Sequence, residues 1–139
     1  MPVFRVFLCG GFRAERLAGT HYKAVRTPEW GGSNYPRLLL KALLCSRGRQ
    51  ARRDALLNML WPEEDGEQAV QYLNSATTKL RKALQVGTAV QSLLITEADC
   101  TLYRLEGQET LWVDADAACT LLKEIEFQGR LLPKTLPLL

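Results

Sequence analysis

The sequence predicts an α+β domain, and three observations carry that prediction. Short alternating stretches open the chain ("VFRVFLCG", "FRAERL", "HYKAV"). From residue 35 they give way to apolar runs at helical spacing. Alternation then returns in "LLITEADCTLYRLE". With 139 residues, 47% of them hydrophobic and 24% charged, the chain can build one domain with a real core, or one domain and part of a second.

Each element has its own signal. "VFRVFLCG" alternates around Arg5 and stops at Gly10-Gly11, a strand and a turn. "FRAERL" and "HYKAV", split by Ala18-Gly19-Thr20, supply two more short strands, and together these make an N-terminal antiparallel sheet. "RTPEWGGSNYP" is punctuation rich in proline and glycine. After Tyr35, "RLLLKALLCS" is apolar on most sides and reads as a buried first helix that Gly48 stops. "RQARRDALLNMLWP" reads as a second helix, with Leu56, Leu57 and Leu60 on one face and Pro62 at its end. "PEEDGEQA" is an acidic connector whose carboxylates suit the positive end of the next helix. That third helix runs from about Glu67 to Gln85 and spans about 27 Å at 1.5 Å per residue. "LLITEADCTLYRLE" is a hairpin turning at Ala98-Asp99-Cys100, "LWV" a further strand, and "DADAACTLLKEIEF" the start of a fourth helix with Asp114 as N-cap. The order is that of a winged helix-turn-helix with an N-terminal antiparallel sheet, a three-helix core and a C-terminal β-hairpin wing. The third helix is then the recognition helix.

The third helix has an unusual polar side. With Leu73 at the centre of the buried side, Ala69, Val70, Ala76, Thr77, Leu80 and Leu84 fall within about 60° of it at about 100° per residue. Gln68, Gln71, Ser75, Thr78 and Lys82 lie opposite. Asn74 and Arg81 occupy one flank, Tyr72 and Lys79 the other. Amides and hydroxyls bond base edges, and Lys and Arg bond phosphates and guanine. From residue 71 to residue 84 there is no carboxylate to repel a nucleic-acid backbone. A plain solvated face without acids is the alternative. "RGRQARR", residues 47–53, adds four arginines beside the helix-turn-helix edge, Arg52 and Arg53 among them, and Arg104 adds a cation in the returning wing strand. Trp61 and Tyr72 read as packing groups rather than base-stacking ones.

Other functions find little support. The net charge of +3 permits an anionic partner without demanding one. No apolar run reaches the roughly 18 residues of a membrane span, and the N-terminus lacks a signal peptide's pattern, so the chain reads as cytoplasmic. Cys9, Cys45, Cys100 and Cys119 form no C-x-x-C pair, and they read as reduced, mostly buried thiols in preference to a metal site. There is no phosphate-binding glycine loop, no nucleophile elbow and no histidine beside a plausible nucleophile, since His21 stands alone. An enzyme is therefore not expected, nor a cofactor or metal.

At this point the chain resembles a family. "FRVFLCGGF", "RLLLKALLCSRGRQARRDALLNMLWPEED", "YLNSATTKLRKAL", "LLITEADCTLYRL" and "WVDADAA" stand in the order of the OmpR/PhoB-type winged-helix domain, in the form that opens SARP and bacterial transcriptional activation domain regulators. The "LW-P" after the second helix and "LRKAL" closing the third are the more specific marks, and "GRLLP" looks like the opening of the family's helical activation domain. The resemblance implies a winged-helix domain over residues 1–113 and the truncated start of an activation domain over 114–139. It implies a transcriptional activator binding double-stranded DNA, with two copies side by side on direct repeats. Gln68, Gln71, Asn74, Ser75, Thr78, Lys79 and Lys82 would face the DNA, and Arg81 would be the family's backbone-contacting arginine. Glu63, Glu64 and Asp65 would occupy the loop that faces RNA polymerase. The chain departs from the pattern in the wing, where Leu102 stands for a common glycine and Asp99-Cys100 fills the turn. That predicts a longer or differently aimed wing, with Asp99 repelling phosphate. The rival reading is a winged helix used as a protein–protein module.

Overall fold

A computed structural model describes residues 2–85, 93–99, 101–106 and 110–131. The described chain is α+β, with four α-helices and two sheets. The first sheet begins with β1 (Phe4–Phe7), β2 (Arg13–Ala18) and β3 (His21–Ala24), joined as antiparallel neighbours. Phe4 and Val6 turn into the core, while Arg5 and Phe7 face out, as a period of two requires. On the outer face Arg5 bonds Glu15 across the strand pair at 2.6 Å and stacks over the Tyr22 ring at 3.7 Å.

The helical part begins with a short 3-10 turn at Thr27–Trp30, then α1 (Tyr35–Leu44), β4 (Gln50–Arg52), α2 (Arg53–Leu60) and α3 (Gly66–Ala83). The hairpin β5 (Leu94–Glu97) and β6 (Leu102–Leu105) follows, then β7 (Leu111–Val113) and α4 (Asp114–Leu131). α1 is the hub of the packing. It lies against α3, α2, β4 and β6, and Leu39, Leu40 and Leu43 are each 0% exposed. Leu56, Leu73 and Leu80 close the same core from α2 and α3, and Leu94, Tyr103 and Leu105 close it from the hairpin. Burying each leucine contributes about 1.5–3 kcal/mol before the entropy of ordering is set against it.

Several expectations need correction. Gln50–Arg52 is not the start of the second helix but a strand, antiparallel to β6 with Gln50 opposite Arg104 and Arg52 opposite Leu102. Gly48 (φ 68) and Arg49 (φ 53) turn the chain through left-handed backbone just before it, so the segment arrives extended beside the open edge of β6. The N-terminal sheet is not wholly antiparallel. Its order is β3-β2-β1-β7, and β7 enters beside β1 in parallel, with Leu111 opposite Phe4 and Val113 opposite Val6. The cysteines are not buried: Cys9, Cys45 and Cys119 are free and exposed, at element ends or on an outward helix face, while Cys100 lies outside the described residues.

α4 begins at Asp114 as expected, but the Asp114 carboxylate does more than cap a helix. It accepts N–H bonds from Leu8 (2.8 Å), Cys9 (3.0 Å) and Ala115 (2.7 Å), tying the helix start to the end of β1. Burial alone would raise its pKa, but those backbone donors outweigh it and hold the carboxyl below the usual carboxylate range. From Asp116 to Gln128 the helix residues are exposed, Leu121, Leu122, Ile125 and Phe127 each more than half, although Asp116 pairs with Arg49. The expected activation-domain tail after residue 131 lies outside the described residues.

Candidate functional site

The side of α3 away from α1 is an exposed stripe: Glu67, Gln71, Asn74, Ser75, Thr78 and Lys82. The opposite side is buried, through Ala69, Leu73, Ala76, Thr77, Leu80 and Leu84. This division follows from one apolar position every three or four residues. Thr77 survives in the core because its hydroxyl donates to the Leu73 carbonyl at 2.7 Å. Thr78 does the same to Asn74 at 3.0 Å on the exposed side, which uses its donor and leaves an acceptor. Gln68, expected on the outer side, is half-buried.

The cations divide into engaged and available groups. Arg81 is engaged: its guanidinium donates to Thr96 Oγ1 at 2.9 Å and to the Leu94 carbonyl at 3.3 Å, tying α3 to β5. Arg104 is sandwiched on the outer hairpin face between Glu97 (2.5 Å) and Glu106 (2.6 Å). One cation there faces two carboxylates, so the hairpin presents net negative charge even before Asp99 at its turn. Lys79 is half-buried and its methylenes lie along the Gly31 turn. Arg52, Arg53, Lys79 and Lys82 form no ion pair with any described carboxylate.

Geometry also separates what the sequence grouped. The Arg53 N–H donates to the Thr101 carbonyl at 2.8 Å, placing the Arg52-Arg53 pair beside the hairpin turn. In the order β4-β6-β5, that pair lies on one edge of the hairpin sheet and Arg81 reaches the other. Two strand spacings, roughly 10 Å, lie between them. The hairpin loop is longer than the tightest turns, running from Ala98 to Thr101, with Ala98 (φ 52) and Asp99 (φ 56) in left-handed backbone.

Between α2 and α3, Pro62, Glu63, Glu64 and Asp65 are exposed. The loop is anchored by Trp61, 4% exposed, whose ring meets those of Tyr35 at 5.1 Å and Tyr72 at 6.0 Å. A residue that sequence reasoning missed braces the far end of α3. The Arg16 guanidinium, from β2, donates to the Ala83 carbonyl and pairs with Glu29 at 3.4 Å. A cation there suits the negative end of the helix. Sixty-seven positions separate Arg16 from Ala83, so no local pattern signals the contact.

No family model, curated protein or solved structure matches the chain. Among the described residues no helix is long and apolar enough to cross a membrane.

Proposed function

We propose that this chain is a winged helix-turn-helix domain that binds double-stranded DNA in the cytoplasm and regulates transcription, as an activator. In this reading α3 enters the major groove, which at about 12 Å wide admits a helix with its side chains. One observation carries the proposal. From Gln71 onward the exposed stripe of α3 offers Gln71, Asn74, Ser75, Thr78 and Lys82 with no carboxylate among them, Glu67 standing apart in the first turn, on a helix whose other side is fixed in the core. Lys82, Lys79, Arg52 and Arg53 supply charge for phosphates. The sequence resemblance to the SARP-type N-terminal domain supports the same reading, and extends it to direct repeats and to RNA polymerase facing Glu63, Glu64 and Asp65.

The hairpin plays a lesser part than a typical wing. With Arg104 neutralised by Glu97 and Glu106, contacts to the sugar–phosphate backbone fall to α3 and to the start of α2. The same acidic hairpin is what favours the rival reading, a module that docks another protein.

Site selection from random DNA decides between them. Wild type should enrich a defined sequence, and Gln71→Ala and Asn74→Ala should each change the preferred base at one position. A bidentate amide contact to adenine discriminates by about 1–3 kcal/mol. Thr78→Ala should change less, because its hydroxyl donor is already used within the helix. No enrichment by folded wild type, or identical preferences in all variants, would put protein docking ahead.

A further inference from the structure

α4 leaves the domain after its first residues. Asp114 ties its start to the end of β1 and Ala115 packs on the core, but from Asp116 to Gln128 every residue is exposed. A cavity of about 640 Å³ lies between that part of the helix, at Asp116, Ala117 and Thr120, and the turn at residues 46–49. The Arg49–Asp116 ion pair bridges it. Among the described residues, no other side chain of α4 beyond Asp114 makes a hydrogen bond or ion pair with the rest of the domain. The two ends of the pair are unlike. The Asp116 side chain is 58% exposed and loses little by returning to water, whereas that of Arg49 is 17% exposed, and burial pulls its pKa below the usual arginine value. Arg49 also sits in left-handed backbone at φ 53, directly after Gly48 at φ 68. Glycine takes that conformation freely, while arginine holds it only where its surroundings enforce it. The next residue, Gln50, begins β4, which pairs with β6 and ends at Arg52. The residue that reaches α4 is therefore the strained residue that launches β4.

We propose that the Arg49–Asp116 pair is a latch that couples the direction of α4 to the seating of β4 on the hairpin. Closed, the carboxylate holds α4 across the cavity and keeps the guanidinium in its poorly hydrated place, so the left-handed turn persists. When α4 swings away, Arg49 is left without an anion. Its guanidinium then regains water only by turning out, nothing holds φ positive at residue 49, and the start of β4 loosens from β6. Movement of α4 is thereby felt at the edge that carries Arg52 and Arg53. The latch belongs to the domain without DNA and stands whether or not α3 reads bases.

The test follows amide hydrogen exchange by ¹H–¹⁵N NMR on the full chain, without DNA, in wild type and two variants. Asp116→Asn alters an exposed side chain and opens the latch from the α4 end. Exchange at residues 118–122 should speed by about threefold or more, as expected for loss of a part-buried ion pair. Two amides of the β4 edge should speed with them: Arg53, bonded to the Thr101 carbonyl, and Ala51, which by alternation shares a bonded pair with Tyr103. Amides of Leu40 and Leu43 in α1 should keep their rates, which separates local opening from a general loss of stability. Arg49→Gly removes the guanidinium but needs no help at positive φ. It should speed α4 by a similar factor and leave Ala51 and Arg53 near wild type. If Arg49→Gly does not fold, Asp116→Asn with its α1 control still decides. Unchanged exchange in α4, a change in Asp116→Asn that stops at α4, an equal rise at all amides, or a β4 edge as loose in Arg49→Gly as in Asp116→Asn would each overturn the proposal.

Discussion

Replacing Arg81 by alanine sets the DNA-backbone contact that the sequence resemblance implies against the hairpin contact that the structure shows. In the structure its guanidinium bonds Thr96 Oγ1 at 2.9 Å and the Leu94 carbonyl at 3.3 Å, holding the hairpin to α3. A hydrogen bond with a charged partner contributes about 1.5–3 kcal/mol, but the second of these is long and both are only part-buried, so the pair together is worth about 1–3 kcal/mol. Arg81→Ala should therefore lower the melting temperature by several degrees, at about 2–8 °C per kcal/mol for domains of this size range. Lys82, exposed and unpaired among the described residues, should cost less than about 0.5 kcal/mol when replaced. The order reverses in DNA binding. With affinity measured across salt well below the melting point, Lys82→Ala should lower the log–log slope by about 0.9, one phosphate's worth, and Arg81→Ala should leave it unchanged. The assays are urea or thermal melts and salt-titrated binding. Should Arg81→Ala melt like wild type while its salt slope drops by nearly one, the guanidinium is a phosphate ligand and the hairpin contact contributes nothing.

Three further outcomes test other parts of the structure. Gly31→Ala places a methyl at φ 79, with its Cβ 2.6 Å from the Lys79 methylenes, and should destabilise by about 1–2 kcal/mol. Combining it with Lys79→Ala should recover part of the loss in a double-mutant cycle, and strict additivity would refute the contact. Asp114 has a depressed pKa when folded, so its stabilising bonds act above the unfolded value and are lost as pH falls through the folded one. The stability gap between wild type and Asp114→Asn should be flat above about pH 5 and shrink below about pH 4, as urea midpoints would show; a constant gap would contradict the assignment. Neutralising Glu63, Glu64 and Asp65 together should reduce activated transcription while changing DNA affinity by less than about threefold, since they precede α3, with Asp65 at its N-cap, and carry no group that bonds phosphate. Unchanged promoter output would make the loop a connector only.

Whatever depends on neighbours two, three or four positions away was legible along the chain. The buried and exposed sides of α3 follow from that spacing, because a leucine at 73, 80 and 84 can be buried only if Asn74, Ser75 and Thr78 face out. The inward Phe4 and Val6 of β1, and the strand pair around residues 98–101, follow from alternation in the same way. Even the neutralised Arg104 was within reach, since a hairpin register puts Glu97 and Glu106 on its own face. Tertiary structure decided what a segment does when its local preference is weak. Gln50–Arg52 carries no apolar repeat, so the open edge of β6 made it a strand, while β7 entered the N-terminal sheet in parallel beside β1, a partner more than a hundred residues earlier that no local pattern signals. The same holds for which cations remain available. Arg16 ends on α3, Arg49 on Asp116 and Arg81 on β5, and each of those meetings depends on how separate elements pack, which no periodicity in the chain encodes.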